Sequence, residues 1–194
     1  MSKITWKPGT MLYPVPAVMV SCRDGDFDNI ITIAWAGTIC SDPPMVSISI
    51  RPERLSYDII KRTGEFAINV PDKKLLFAVD YCGVKSGRDV DKFKQLNLKK
   101  SDAEKVNCPL IEEAPLSIEC VVKQTIPLGS HDMFIAEVVA VDVDRELIDS
   151  TGRLCLDKAE LMCYNHGQYC IALKHVEKFG FSIEKKKKEY TINY

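Results

Sequence analysis

Apolar and polar residues alternate with a period of two along most of this chain, and turn residues interrupt the alternation at short intervals. Between Met45 and Ile50, Val46, Ile48 and Ile50 fall on one face and Ser47 and Ser49 on the other, the pattern of a strand with one buried side. Pro115–Ile126 alternates in the same way, and Met133–Val143 is a second long apolar run; the turn residues Pro127, Leu128, Gly129 and Ser130 between them predict an antiparallel hairpin. Shorter strands are predicted at Ala17–Cys22, Glu65–Val70, Leu161–Tyr164 and Tyr169–Leu173. Asp24-Gly25 is a favoured hairpin turn, so the strand from Ala17 should pair with one that begins near Asn29.

The stretch from Asn29 to Arg51 organises the rest. It reads as two strands joined by a turn at Pro43-Pro44, because proline has no N–H to donate to a ladder. Asn29, Thr32, Trp35, Thr38, Ser41, Ser47 and Ser49 are many polar groups for so β-branched a segment. A strand pair of this kind lines a ligand site with its hydroxyl-bearing face, or is simply half-exposed; the pattern alone favours the second.

Helical signals are few. Ser56–Thr63 predicts a short helix with Ser56 as N-cap, Gly64 as its stop, and Ile59 and Ile60 facing inward. Pro71-Asp72 opens a second, with Leu75, Leu76, Val79 and Tyr81 as its apolar stripe. Cys82–Phe93 lacks periodicity and reads as a loop or a short helical turn, the kind of segment that carries ligand contacts. Residues 94–109 read as polar surface, residues 1–16 as an extended arm, and Ile183–Tyr194 as an exposed tail. With no repeat and no linker, the expectation is a single domain over residues 1–194, mainly β, built as a small barrel or sandwich with a few short flanking helices.

Charge changes this picture little. The 26 basic and 27 acidic residues leave a net charge of −1, which gives no drive toward nucleic acid or an anionic membrane. The run Lys185–Lys188 is flanked by Glu184 and Glu189 and reads as solvation. No apolar run approaches the ~20 residues that span a bilayer, and the first ten residues lack the apolar core of a secretory signal, so the expected location is the cytoplasm. Eight cysteines without a CxxC pair are expected to be reduced, several of them buried. Cys163, His166, Cys170 and His175 have zinc-like spacing. Alternation along Tyr169–Leu173 would send Cys170 and its neighbours to opposite faces, so no metal is expected. A zinc-bearing interaction module stays as an alternative. Cys40 lacks a basic neighbour to activate it, and no GxGxxG fingerprint follows a strand, so a Rossmann site for NAD(P) is not expected.

Several short motifs occur in order across nearly the whole chain: Pro14-Val15-Pro16; Asn29, Thr32, Ala34-Trp35 and Gly37; Pro43-Pro44; Ile50-Arg51-Pro52; Gly64, Phe66 and Asn69; the loop from Ser86 to Phe93; Gly129-Ser130-His131; and Phe179-Gly180. In this combination the chain resembles the flavin reductase-like, flavoredoxin-type family of FMN-binding split β-barrels. The resemblance implies a Greek-key barrel, a homodimer, and noncovalent FMN that takes a hydride from NAD(P)H or electrons from a protein donor. It passes them to flavin, a metal complex or a redox partner. A non-enzymatic flavoredoxin-type carrier on the same scaffold is an alternative.

The resemblance also implies site residues. Asn29, Thr32 and Trp35 would border the flavin ring, Lys92 would be a cationic contact that stabilises the reduced ring, and Tyr164 an aromatic neighbour. His131 would lie at the flavin as a hydrogen-bond donor or a nicotinamide contact, and is the candidate catalytic residue. Arg51 and Arg54, just before a helix start at Ser56, offer cations, N–H groups and a hydroxyl for a phosphomonoester. Taken without the resemblance, Trp35 reads as a core anchor, Lys92 as a solvated lysine beside Asp89 and Asp91, and His131 as a capping or surface residue.

Overall fold

The β-branched runs fold into one curled antiparallel sheet, seen in a computed structural model that describes residues 2–171 and 176–183. In chain order the strands are β1 (Val15–Pro16), β2 (Val18–Asp24), β3 (Phe27–Ile33), β4 (Ala36–Ser41), β5 (Pro44–Ile50) and β6 (Glu65–Val70). They continue with β7 (Lys100–Asp102), β8 (Pro109–Ile111), β9 (Leu116–Pro127), β10 (Asp132–Val143), β11 (Met162–Asn165) and β12 (Gln168–Ile171). The helices are α1 (Leu55–Thr63), α2 (Leu76–Val84) and α3 (Lys92–Leu96), with short 3-10 turns elsewhere.

Seven strands form the main sheet in the order β3-β2-β6-β9-β10-β5-β4. Its two edge strands, β3 and β4, are consecutive in the chain and joined only by Ala34 and Trp35. A sheet whose outermost strands are two residues apart must roll up, and at that corner the Ser49 N–H donates to the Trp35 carbonyl at 2.9 Å, which extends the β4–β5 ladder by one residue. The product is a split β-barrel whose non-sequential neighbours make Greek-key connections. β1, β11 and β12 form a separate small sheet, and β7 and β8 another.

The barrel interior is packed by Val20, Ile31, Ile48, Phe66 and Phe134 from the strands and by Tyr57, Ile59 and Ile60 from α1. A second core lies on the outer side of β2 and β3, where Met19 and Ile30 meet Leu75, Val79 and Cys82 near α2, with Phe93 of α3 and Met162 of β11. β2 and β3 are therefore covered on both faces, so alternation is lost along them although they are strands.

The predicted Asp24-Gly25 turn is present with Gly25 at φ 58, and the β9–β10 hairpin pairs from Leu116↔Val143 to Pro127↔Asp132. Other expectations are corrected. Asn29–Arg51 contains three strands, not two, because the chain breaks at Ala34-Trp35 to cross the seam. Ser56 is not the N-cap of α1: Arg54 holds that position without a side-chain cap, and Ser56 is fully buried in the first turn. In α2 the inward face is Ala78, Val79 and Cys82, preceded by Leu75; Leu76 is 44 % exposed and Tyr81 half-buried. The expected loop from Cys82 is in part the end of α2, and its last two residues begin α3. Residues 94–109 are not all surface, since Val106 and Cys108 are buried in a third small core with Ala67. Leu173, His175 and the lysine-rich tail lie outside the described residues. No helix among the described residues is long and apolar enough to cross a membrane.

Candidate functional site

Two clefts meet beside the barrel seam, sharing Ile31 and Arg54 in their walls. The first is bounded by the β3–β4 corner and the end of β5, with Thr32, Trp35, Ser49, Arg51, Gly83 and His131 around it. The second, about 240 Å³, lies between the start of α1 and the end of α2, where Asn29, Ser56, Lys85, Arg88 and Lys92 converge with Arg54.

The second cleft is strongly cationic, and Lys92 is its most unusual member. Its side chain is carried by the first residue of α3 and is only 3 % exposed. Nζ donates to the carbonyl of Ile30 at 2.6 Å and to that of Cys82 at 3.0 Å. Among the described residues no carboxylate pairs with it. Burial lowers its pKa; the Cys82 sulfur opposes this, Arg54 lowers it further, and the Cys22 sulfur opposes it in turn. An ammonium carries three donors, so one N–H is left beyond the two carbonyls.

Beside it the Asn29 Nδ2 donates to Ser56 Oγ at 2.8 Å, both side chains being buried. Asn29 sits on β3 and Ser56 on α1, so this bond ties the strand to the helix start. Gly87 presses against the same carboxamide: a Cβ there would lie 2.0 Å from Asn29 Oδ1. Glycine is needed at this position for close approach. The N-terminus of α1 opens on this cleft without a side-chain cap, leaving helix N–H groups to face an anion. Arg88 is held at the rim by Asp58, 3.0 Å away. Behind the cleft the thiol of buried Cys22 is pushed up to about 12 by desolvation, so it stays protonated.

The first cleft is less charged. Thr32 Oγ1 donates to the Val79 carbonyl at 2.5 Å and so fixes α2 against β3. Gly83 faces Thr32, where a Cβ would come to 3.4 Å. Trp35 is half-buried at the corner, its ring 6.1 Å from that of Tyr13. His131 Nδ1 shares a hydrogen bond with Ser130 Oγ at 2.9 Å. Burial lowers its pKa, and the Arg51 cation lowers it further, so the imidazole is neutral at pH 7.

Of the residues singled out from sequence, the fold gathers Asn29, Ser56 and Lys92 in one cleft and Thr32, Trp35, Arg51 and His131 in the other. This regroups two of them. Arg51 faces His131, not Ser56; Lys92 lies at the Ser56 end, not at the Trp35 end, and it is buried where a solvated lysine beside Asp89 and Asp91 was the alternative. Tyr164 lines neither cleft; its ring packs on Tyr13 at 6.0 Å, one ring removed from Trp35. Lys85 and Arg88 escaped individual notice in the sequence. Their signal was the aperiodic, glycine-bearing stretch from Cys82 to Phe93 and, for Arg88, the motif from Ser86 to Phe93.

Of the residues with zinc-like spacing, Cys170 lies on strand β12 between Tyr169 and Ile171, and Cys163 is its direct register partner across β11 and β12. His166 is in the turn between them, against Tyr13, and His175 is outside the described residues. Among the described residues no group of three or more His, Cys, Asp or Glu side chains is placed to hold a metal.

Comparison with known proteins places this arrangement in a context. Residues 10–172 match the family described as "Flavin reductase like domain". An uncharacterised protein of Pyrococcus abyssi is 33 % identical over 139 residues, covering 72 % of this chain and 80 % of that protein. The flavoredoxin of Desulfovibrio vulgaris (Miyazaki F) superposes with a TM-score of 0.88 at 30 % identity, over 94 % of this chain and all (100 %) of that one. An FMN-binding protein from Thermus thermophilus, solved with bound 1-cyclohex-2-enone, shares the fold with a TM-score of 0.77 at 24 % identity, over 92 % and 99 % of the two chains.

Proposed function

This chain belongs to the flavin reductase like family, and on that premise we propose that it holds FMN noncovalently across the two clefts and works as a flavin-dependent oxidoreductase. The observation that carries this reading is the joining of a cationic pocket to a slot edged by Trp35 through the shared walls of Ile31 and Arg54. A ligand with an anionic group at one end and a flat heterocycle at the other is what such a pair accepts.

The residues present fit that group. Lys92 has an N–H to spare and no acidic partner among the described residues, so a phosphomonoester is the counter-charge its buried site lacks. Arg54, the rim cations Lys85 and Arg88 and the uncapped start of α1 add further donors around the same point. Asn29, locked by Ser56 and Gly87, sets the wall between the phosphate end and the ring end.

When bound, FMN would supply the one- and two-electron chemistry that the side chains lack. The chain's own part is positional and electrostatic. Arg51 puts positive charge at the edge of the first cleft, where negative charge on a reduced ring would be stabilised. His131 is neutral and donates or accepts one hydrogen bond there without adding charge. Thr32 and Gly83 keep α2 close enough to make one wall of the slot.

In this reading the electrons arrive as hydride from NAD(P)H, which has no Rossmann site here and would stack transiently, or from a protein donor. They leave to free flavin, a metal complex or a redox protein. The protein acts in the cytoplasm as a homodimer, without nucleic acid or membrane. A non-enzymatic carrier role is the second reading, and the likeness to the Desulfovibrio flavoredoxin, at 30 % identity over 94 % of this chain, favours keeping it.

Visible spectroscopy tests both. Purified protein mixed with FMN should quench the flavin fluorescence and give a protein-bound flavin spectrum. Anaerobic NADH or NADPH that bleaches this spectrum with turnover supports the enzyme; bleaching only by a low-potential donor supports the carrier. A colourless protein that leaves FMN fluorescence untouched would dismiss both.

A further inference from the structure

Outside the two clefts, the hairpin of β11 and β12 brings two thiols together that the flavin reading does not use. We propose that Cys163 and Cys170 are a reversible dithiol–disulfide centre that exchanges with low-molecular-weight disulfides. The inference is independent of whether FMN binds.

The register carries it. His166 and Gly167 form the two-residue turn with φ 48 and 89, both in the left-handed region that this kind of hairpin turn requires. That turn fixes Asn165 opposite Gln168, Tyr164 opposite Tyr169, and Cys163 opposite Cys170. Directly paired residues on antiparallel strands have Cα atoms about 4.5–5.5 Å apart and share a face. A disulfide needs a Cα separation of about 4.4–6.8 Å. The alternate positions Met162, Tyr164 and Tyr169 pack into the core beside α2, so both sulfurs project from the other face.

The two thiols differ as an exchanging pair must. Cys163 is 7 % exposed and sits mid-sheet, also paired with Pro16 of β1. Burial, and then the Cys170 sulfur beside it, push its pKa up. Cys170 is half-exposed on the outer strand. The Cys170 thiolate therefore attacks first: its sulfur bonds to one sulfur of the small disulfide, whose S–S bond breaks and releases one thiolate. Cys163, losing its proton to solvent, attacks Cys170 Sγ and expels the second thiolate. The protein loses two electrons and two protons, and one small disulfide becomes two thiols. By contrast the buried Cys22, Cys108 and Cys120 are pushed up to about 12 and Cys82 to about 11, which leaves them inert.

Incubation of the full chain with oxidised glutathione, followed by alkylation in denaturant and peptide mapping, tests the proposal. The expected result is loss of two of the eight alkylatable thiols, a Cys163–Cys170 linked peptide, and full recovery with dithiothreitol. Cys163→Ala should trap glutathione on Cys170, and Cys170→Ser should abolish reaction at Cys163; circular dichroism checks that both remain folded. A wild-type chain that keeps glutathione on Cys170, links Cys170 between two chains, or stays unreacted at both positions overturns the proposal.

Discussion

Asn29 on β3 gives its Nδ2 proton to Ser56 Oγ on α1 at 2.8 Å, and Gly87 leaves no room for the carboxamide to turn away. One hydrogen bond thus fixes the strand that borders the ring end against the helix start that borders the phosphate end. Gly87→Ala should displace the carboxamide and weaken FMN binding at least about tenfold, the cost of roughly one hydrogen bond to a charged or buried group. In an Asn29→Ala background the obstruction is gone, so the added methyl should cost less than threefold. Fluorescence titration of the four proteins closes this cycle, and simple additivity would refute the packing argument.

Lys92→Met removes the buried ammonium while keeping its length. Loss of a charge-assisted contact is expected to weaken FMN by about ten- to a hundredfold and riboflavin, which lacks the phosphate, by less than threefold. Equal losses for the two ligands would place Lys92 away from the phosphate. The pH dependence has a definite sign. The folded-state pKa of Lys92 lies below its ordinary value because of burial, so FMN affinity should begin to fall with rising pH earlier than an exposed lysine would cause.

His131 should titrate below its ordinary value of 6.5, since burial and then Arg51 disfavour the imidazolium. Chemical-shift titration of its ring protons should show this midpoint. Arg51→Met removes the positive neighbour and should move the midpoint upward; an unchanged or lower midpoint would show that Arg51 does not act on it. If the imidazole serves electron transfer, His131→Asn should slow flavin reduction more than it weakens FMN binding.

Asp142 offers a stability test far from the clefts. Its Oδ2 is buried without a donor, beside Glu119, whose carboxylate takes N–H groups from Glu104, Lys105 and Val106. Burial and then Glu119 raise the Asp142 pKa. The folded state thus binds a proton more tightly than the unfolded chain. Stability should fall as pH rises from the ordinary carboxylate range through the raised value. Asp142→Asn supplies a permanent donor to Glu119 and should raise Tm at pH 7 by roughly 2–4 °C, equivalent to about 1 kcal/mol. The gain should vanish at low pH, where the wild-type acid already carries its proton. A lower Tm at pH 7 would contradict this account.

The barrel was legible because its strands are written in local alternation. Val46, Ile48 and Ile50 against Ser47 and Ser49, the Asp24-Gly25 turn and the long β9–β10 hairpin follow from residues a few positions apart. Where alternation failed, on β2 and β3, the reason is that both faces are covered, one by the barrel interior and one by α2. The seam at Trp35 was illegible because β3 and β4 each pair only with a chain neighbour, β2 and β5, and it is β6, β9 and β10, inserted from farther along the chain, that decide how the two edges come together.

The candidate site divides in the same way. Its residue types, an asparagine, a serine, arginines, a lysine and a histidine spread from position 29 to 131, and the turns that present them can be read along the chain. Which of them meet depends on how the sheet rolls and the helices dock. Lys92 is buried because α3 docks where the carbonyls of Ile30 and Cys82 can accept its protons; Arg51 faces His131 because β5 and β10 pair at Ile50↔Asp132. Burial and charge pairing are properties of surfaces brought together across 62 and 80 positions of chain, and no local pattern encodes such a distance.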